Sequence, residues 1–234
     1  MVRNTSAGSV LRGRRALVLA GRGRYEDPWH DHAAMSHEIA VLLGELGLRT
    51  EVRSTFRDSF SGLDAFDLLV VNGGTGRIDP DFDGDDESWA PVHAAMNAYA
   101  SSGGPLFVHH QGINAFLDNP RWRYVVGGRW IRGTTYHPEN SEGVWSPVAG
   151  SHPIVDGLGE LHVHDERYTL LDVEPDSTVI LTQHEAGADQ PTAWVNTVGG
   201  MRVVYDSLGH DLRSMLNPDR RELMCREISW LLEE

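Results

Sequence analysis

Short apolar runs that end at glycines or histidines constrain the fold of this chain most strongly. Strands that are apolar throughout are typical of a parallel sheet covered by helices on both faces. Segments with helical spacing of apolar residues separate these runs. The predicted strands of the first half are 16–20, 50–52, 67–72 and 105–108, and the predicted helices are 32–47 and a segment near 89–101. This order predicts an α/β fold with a doubly wound, mostly parallel sheet and helices on both faces.

The second half is richer in strands and closes with a helix. Its predicted strands lie near 143–148, 165–171, 177–183, 192–195 and 201–206, before a helix at 218–232. No repeat of fixed period and no Ser/Gly linker divides the chain. We therefore expect a single domain over 15–234 after a flexible leader at 1–14.

Charge and cysteine content exclude several classes of protein. The 234 residues include 20 Lys and Arg against 34 Asp and Glu, a net charge of −14 that would repel phosphate groups. Nucleic acids and anionic membranes are thus excluded as partners. The single cysteine, Cys225, permits no intrachain disulfide, and no apolar run reaches the roughly 18–20 residues of a membrane span. A cytoplasmic protein is expected, and a homo-oligomer remains open.

Histidines gather at the ends of predicted strands. A lone histidine is most often a surface or core residue, but here several of the twelve stand beside acids. These segments are Trp29-His30-Asp31-His32, His109-His110-Gln111, His162-Val163-His164-Asp165-Glu166 and Gly209-His210-Asp211. Ligands of open α/β sheets bind at the carboxyl ends of the strands. The pattern predicts that His30, His110 and His210 face one cleft, with Asp165 and Glu166 preceding a strand.

The segment around His110 has the pattern of a nucleophile elbow. The apolar strand 105–108 breaks directly into a predicted short helix, a turn that lifts one side chain above the sheet. His110 stands where a serine or cysteine nucleophile would be, so an acyl-enzyme mechanism is not expected. The alternative is that His110 only caps the helix. Cys225 lies in the last predicted helix as a packed thiol, far along the chain from the elbow.

Taken together, five ordered motifs resemble the trehalose-utilisation (ThuA-like) family of the class I glutamine amidotransferase-like superfamily. The motifs are the Gly-Gly-Pro strand leading to His110, 122–128, 151–158, Asp165-Glu166-x-Tyr168 and 202–211. The resemblance implies a flavodoxin-like sheet in which histidine replaces the amidotransferase cysteine, so glutamine hydrolysis is not expected. It also implies a role in disaccharide utilisation, alongside dehydrogenases that make 3-keto sugars.

A 3-keto sugar would suit the predicted side chains. The ketone at C3 acidifies the C2 proton, so a general base can start the elimination of the oxygen at C1. His110 or Glu166 is a candidate for the base, and His30 or His210 for the acid. Elbow N–H groups or a metal could stabilise the enolate oxygen. The alternative is a non-catalytic sugar-binding or assembly protein with the same fold.

Sugar binding is also predicted from aromatic and polar residues near the histidines. Five of the seven tryptophans fall in or near predicted loops and short helices, namely Trp29, Trp89, Trp122, Trp130 and Trp145. Tryptophan is well buried on average, so only the neighbour of His30 is assigned to the substrate. The predicted substrate-binding residues are Trp29, Gln111, His164, Asp165 and Asp211.

Two metal sites are weighed from the sequence. Imidazole and carboxylate donors near the strand ends suit a divalent metal, but no H-E-x-x-H motif fixes a ligand set, and the cofactor is left open. Asp79–Glu87 begins like a calcium loop, with D-x-D-x-D-G. Ala90 stands where that loop needs glutamate, so a solvated, mobile loop is favoured.

Overall fold

The computed structural model describes residues 11–233. The strands are β1 Arg15–Ala20, β2 Arg49–Ser54, β3 Leu68–Asn72, β4 Leu106–His109, β5 Gly128–Arg129, β6 Ser141–Pro147, β7 Leu161–Asp165, β8 Asp172–Val173, β9 Thr178–Glu185, β10 Ala188–Val198 and β11 Met201–Asp206. The α-helices are α1 His32–Glu45, α2 Pro80–Asp83, α3 Asp86–Ser101, α4 Trp122–Val126, α5 Leu212–Leu216 and α6 Pro218–Leu231. Short 3-10 helices lie at Gly23–Tyr25, Arg57–Phe60, Leu63–Ala65, His110–Asn114 and Pro153–Val155.

Nine of these strands form one mixed sheet in the order β2-β1-β3-β4-β11-β10-β9-β6-β7. The strands from β2 to β11 pair in parallel, and β10, β9, β6 and β7 extend the sheet by antiparallel pairing. β5 and β8 form a separate antiparallel pair. The predicted α/β fold is confirmed, and one continuous sheet joins the two halves of the chain.

Side chains of β1 supply both cores of the molecule. Ala16 and Val18 pack with Ile39 of α1 in one apolar cluster. Leu17 and Leu19 lie in a second cluster, which includes residues of α3 and α4. Because successive strand residues point to opposite faces, a strand buried on both faces must be apolar throughout. This explains the uninterrupted apolar runs.

The predicted strand at 165–171 is wrong. The strand is β7, Leu161–Asp165, and after it Thr169 forms only an isolated bridge with Tyr136. The alternation of β7 was the correct period-two signal, with Leu161 and Val163 buried and His162 exposed. Asp165 and Glu166 therefore lie at the carboxyl end of a strand, and the expectation that they precede one is also wrong.

The folded part of the chain begins before Arg15. Residues 1–10 of the predicted leader, and Glu234, lie outside the described residues. Leu11 is buried in the core, and the carbonyl of Arg14 accepts a hydrogen bond of 2.8 Å from the N–H of Arg49. Residues 11–14 thus belong to the domain rather than to a flexible leader.

The acidic segment Asp79–Glu87 is helical rather than a mobile loop. The carboxylates of Asp79 and Asp85 accept hydrogen bonds from backbone N–H groups at the starts of α2 and α3. Asp83 and Asp86 pair with the buried guanidinium of Arg24. These acids hold two helices against the 3-10 turn after β1.

Two further expectations concern the single cysteine and membrane-spanning helices. Cys225, in α6, is partly buried and packs against the apolar core, so the prediction of a packed thiol is confirmed. Across residues 11–233, no helix combines the length and apolar character that crossing a membrane requires.

Candidate functional site

The turn after β4 is a sharp elbow with His110 at its tip. His110 has a φ of 47°, in the left-handed region that non-glycine residues rarely adopt. The next turn needs Gly112, because a Cβ there would lie 2.7 Å from the carbonyl oxygen of Val71. The Nδ1 of His110 lies 2.5 Å from the carbonyl oxygen of Ser207, directly after β11. The ring therefore contacts the adjacent strand end, and the alternative that His110 caps its helix is wrong.

Four predicted residues meet above this elbow. The Nε2 atoms of His110 and His30 lie 3.0 Å apart. The Oε2 atom of Glu166 lies 3.5 Å from Nε2 of His110 and 3.9 Å from Nε2 of His30. Its Oε1 atom lies 3.2 Å from Nδ1 of His210. We call this group, His30, His110, Glu166 and His210, the histidine–glutamate cluster.

The three histidines follow β1, β4 and β11, and Glu166 follows β7. The first three strands are parallel neighbours or near neighbours, so their carboxyl ends share one edge of the sheet. In a flat sheet β7 would lie five strands from β4, or about 24 Å at the usual spacing. β7 nevertheless runs in the same direction as β4, and Asp165 at its end accepts hydrogen bonds from Gly209 and His210, so Glu166 lies beside the loop that follows β11.

Charge and burial act in opposite directions on these side chains. Burial alone would raise the pKa of Glu166, but His110, His210 and His30 hold it far below its usual range. Burial alone would lower the pKa of His30, but Asp27 and Glu166 raise it to about 9. Burial lowers the pKa of His110, whereas the Glu166 carboxylate raises that of His210. The cluster thus combines a carboxylate with histidines of different proton affinity.

Asp165 organises the loop that carries His210. It is fully buried, and its carboxylate accepts hydrogen bonds from the N–H groups of Glu166, Gly209 and His210 and from the hydroxyl of Ser214. The prediction that Asp165 contacts substrate directly is wrong, because no part of its side chain reaches the cleft. Instead, it fixes the positions of Glu166 and His210 relative to each other.

The other predicted substrate-binding residues are placed differently from one another. Trp29 is 75% exposed beside His30. The amide of Gln111 donates a hydrogen bond of 2.7 Å to the hydroxyl of Tyr168. His164 lies within β7 opposite Glu142, and Asp211 caps α5, so the structure brings neither to the cluster.

Most of the tryptophans predicted near loops belong to the core. Trp89, Trp122 and Trp145 are buried, the last of them within β6. Trp130 is partly buried and packs edge to face on Tyr168, with ring centroids 4.9 Å apart. Only Trp29 and Trp130 of the five therefore remain beside the site.

Sequence reasoning missed three side chains that complete the site. Asp27 lies 2.6 Å from Nδ1 of His30 and 3.4 Å from Nε2 of His32. The hydroxyl of Tyr168 lies 3.0 Å from Nε2 of His110. His137 lies 3.4 Å from Oε1 of Glu166. Asp27 follows β1 closely enough for the strand-end argument to have included it, whereas His137 lies in a long loop with no such signal.

The cluster has the donor set of a metal site. Within the described residues, His30, His110, Glu166 and His210 each offer one ligand atom, and these atoms lie within 4.8 Å of one another. Imidazole and carboxylate donors suit several divalent metals. The acidic segment Asp79–Glu87 forms no such group among those residues, and its carboxylates serve the helix starts and Arg24.

Comparison with known proteins gives a family and a fold. A protein-family model, ThuA, described as trehalose utilisation, matches residues 15–231. No curated protein matches the chain. A ThuA-like protein from Parabacteroides merdae ATCC 43184 is similar in structure, with a TM-score of 0.77 and 15% identity over 94% of this chain and 90% of that chain.

Two further solved structures are similar at lower scores. A glutamine amidotransferase from Thermotoga maritima gives a TM-score of 0.56 at 14% identity, covering 94% of this chain and 99% of that chain. A cold-adapted β-galactosidase from Rahnella sp. R3 gives 0.61 at 12% identity, covering 93% of this chain and 31% of that chain. At these identities the likeness shows a shared fold.

Proposed function

This chain belongs to the ThuA family, described as trehalose utilisation, and on that basis we propose that it is a carbohydrate-processing enzyme. Its substrate is a disaccharide or glycoside, or the 3-keto derivative of one. The observation that carries this proposal is the meeting of His30, His110, Glu166 and His210 in one partly exposed site. Burying four polar residues from separate strand ends costs folding free energy, so their convergence is best explained by a role in binding a ligand.

The proposed reaction is an elimination across C1 and C2 of the keto sugar. A base takes the proton from C2, and the C–H electron pair forms an enolate whose negative charge lies on the C3 oxygen. When the C3 carbonyl re-forms, that pair becomes the C1–C2 double bond. The C1–O bond then breaks with its electrons on the leaving oxygen, which takes a proton from an acid. No oxidant, reductant or covalent enzyme intermediate is needed.

The cluster offers groups for each proton transfer. His110 and Glu166 are the candidates for the base, and His30 and His210 for the acid. His210 is the more exposed of the two acid candidates, with 20% of its side chain accessible against 6% for His30. An acid that serves a departing sugar must reach the open side of the site, which favours His210.

Sugar recognition is assigned to the surroundings of the cluster. The exposed indole of Trp29 offers a flat apolar face, as sugar C–H surfaces require. Gln111 acts through Tyr168, to which it donates a hydrogen bond. Glutaminase chemistry is not proposed, because His110 occupies the elbow where a nucleophile would stand.

The proposed setting follows from charge. The net charge of −14 supports a small-molecule carbohydrate as the partner, rather than nucleic acid or an anionic membrane. The single cysteine supports a cytoplasmic location. A homo-oligomer is compatible with all of this.

Turnover of keto disaccharides tests the proposal. Purified protein is incubated with 3-keto-trehalose, 3-keto-sucrose and the unmodified sugars, and the released sugar, glucose from the first and fructose from the second, is followed by chromatography. We expect release from at least one keto substrate and a loss of rate of roughly 100-fold or more in His110→Ala and Glu166→Ala. The matched control is His184→Ala, an exposed histidine whose ion-pair partner is Asp189. No turnover across the panel would count against the proposal.

The second candidate is a non-catalytic sugar-binding or assembly protein. It is favoured by the histidine at the nucleophile position of the elbow. In this case calorimetry would show sugar binding that changes only modestly in His110→Ala, and no product would form. A rate loss in that variant of an active protein would exclude this candidate.

A further inference from the structure

Two histidine rings in the cluster point their Nε2 atoms at each other, 3.0 Å apart. The Nδ1 of His110 faces the carbonyl oxygen of Ser207 at 2.5 Å, and that oxygen can only accept a hydrogen bond. The Nδ1 of His30 faces the carboxylate of Asp27 at 2.6 Å, which again accepts. Each ring therefore carries its proton on Nδ1. In their neutral forms both Nε2 atoms bear lone pairs, and these atoms lie 3.0 Å apart.

This arrangement needs a positive charge between the rings. One proton could bridge the two nitrogens, and the hydroxyl of Tyr168 also lies 3.0 Å from Nε2 of His110. Two more buried polar atoms, however, lie beside these two nitrogens. Oε2 of Glu166 is buried with no hydrogen-bond partner, and the buried Nδ1 of His210 has only the other Glu166 oxygen beside it, at 3.2 Å. A single proton cannot serve all four atoms, whereas a metal ion can.

We infer that the histidine–glutamate cluster binds one divalent transition-metal ion through one atom of each of its four residues. Ligand atoms about 2.0–2.2 Å from a metal lie roughly 3.0–3.5 Å apart. The separations of 3.0, 3.5 and 3.9 Å among His30, His110 and Glu166 are close to this range. Three imidazoles and one carboxylate favour zinc, manganese, iron, cobalt or nickel over the oxygen-bound calcium and magnesium.

The groups behind the ligands have the form that metal-binding histidines require. Such a histidine donates its second ring N–H to a carboxylate or a backbone carbonyl, which fixes the tautomer and the ring orientation. Asp27 does this for His30, and Ser207 does it for His110. Asp165 accepts hydrogen bonds from the backbone N–H groups of His210 and Glu166, so it positions these two residues through their main chain. The rings of His30 and His110 are thus oriented before any ion binds.

This inference deepens the proposed function and rests on it for the choice of substrate. An ion with four protein ligands and further open positions can take the C3 ketone oxygen and a neighbouring hydroxyl of a keto sugar. It would then stabilise the enolate oxygen, the one requirement that no side chain of the cluster meets. Because Glu166 would bind the ion through one oxygen only, its other oxygen stays free for the base role proposed above.

Metal binding can be measured without substrate. The purified chain is stripped with EDTA and titrated by calorimetry with Zn²⁺, Mn²⁺, Co²⁺ and Ni²⁺, and bound metal is counted by mass spectrometry. We expect one ion per chain and a visible absorption spectrum for the Co²⁺ form. In His210→Ala and Glu166→Gln the affinity should fall by about 100-fold or more, whereas His184→Ala should match the parent. Thermal unfolding of each apo variant shows that it has folded.

The outcomes separate this inference from the proposed function. Failure of every ion to bind at one equivalent, or binding that is unchanged in both ligand variants, would overturn the metal site. Full turnover of a keto sugar in EDTA would also overturn it, and would leave the proposed function standing. One tightly bound ion with no turnover on any keto sugar would support the site and refute the substrate.

Discussion

Replacing Asp165 with asparagine removes one carboxylate oxygen and leaves the shape of the side chain unchanged. One oxygen accepts from the N–H groups of Glu166 at 2.8 Å and of His210 at 3.2 Å. The other accepts from the N–H of Gly209 at 2.7 Å and from the hydroxyl of Ser214. In either orientation of the asparagine, its amide NH₂ replaces an acceptor, so at least one backbone N–H faces another donor and loses its hydrogen bond. Ser214 can rotate its hydroxyl to accept, so the amide should settle against Gly209.

The expected cost follows from this count. One buried N–H left without an acceptor costs about 1–3 kcal/mol. Loss of the charge weakens the remaining hydrogen bonds, each of which is roughly twice as strong with an ionised acceptor. The total is about 2–4 kcal/mol, which for a chain of this size lowers the melting temperature by roughly 5–12 °C. The loop that carries His210 should also lose its fixed orientation, and affinity for a metal should fall by about 10-fold.

Urea and thermal unfolding of Asp165→Asn at neutral pH measure the change in stability. Asp189→Asn is the matched control, since that carboxylate is 75% exposed and its unfolding should stay within about 0.5 kcal/mol of the parent. A variant at position 165 that unfolds with the control would refute the view that this carboxylate holds the site together.

Three further outcomes are expected. Asp118→Asn should be less stable than the parent at pH 7, and the difference should shrink as the pH falls below about 4. Despite burial, hydrogen bonds from neighbouring basic side chains lower the pKa of Asp118, so the stabilisation from its carboxylate is lost as the pH falls through that folded-state pKa. Urea midpoints from pH 3 to 7 measure this, and a difference independent of pH would contradict it. Burial raises the pKa of the Cys225 thiol, so iodoacetamide should label the native chain more slowly than the unfolded chain, and labelling that abolishes turnover would restore a nucleophilic cysteine to consideration. Gly209→Ala should destabilise the fold by about 2–4 kcal/mol in thermal unfolding, because the new Cβ would lie 2.1 Å from the His109 ring at a φ of +126°, whereas Gly159→Ala has open space and should be nearly neutral.

The parts of the site that could be predicted follow from the parallel strands. Runs such as 16–20 and 105–108 are apolar because both faces of the sheet are covered, and their ends share one edge. That rule alone brings His30, His110 and His210 together. Their convergence needed no knowledge of side-chain packing.

The carboxylate side of the site follows from interactions that no local pattern records. Glu166 follows β7, whose place in the sheet depends on antiparallel pairings across its whole second half, and Asp165 ties it to the loop of His210. The residues after Arg167 are of types common in strands, and this led to the wrong strand assignment. In the structure Leu170 has a φ of 61°, which a strand does not adopt. Asp165 was misjudged for a related reason, because a carboxylate beside histidines can serve the backbone as readily as a ligand.

The separation of the site residues along the chain has a consequence for how the protein folds. His110 and Ser207, 97 residues apart, meet only when β4 and β11 have paired, and Asp165 reaches His210 only when β7 is in place. Pairings between distant segments close large loops and form slowly. Partly folded chains therefore have no site, and the capacity to bind a ligand should appear last in refolding, with the slowest phase.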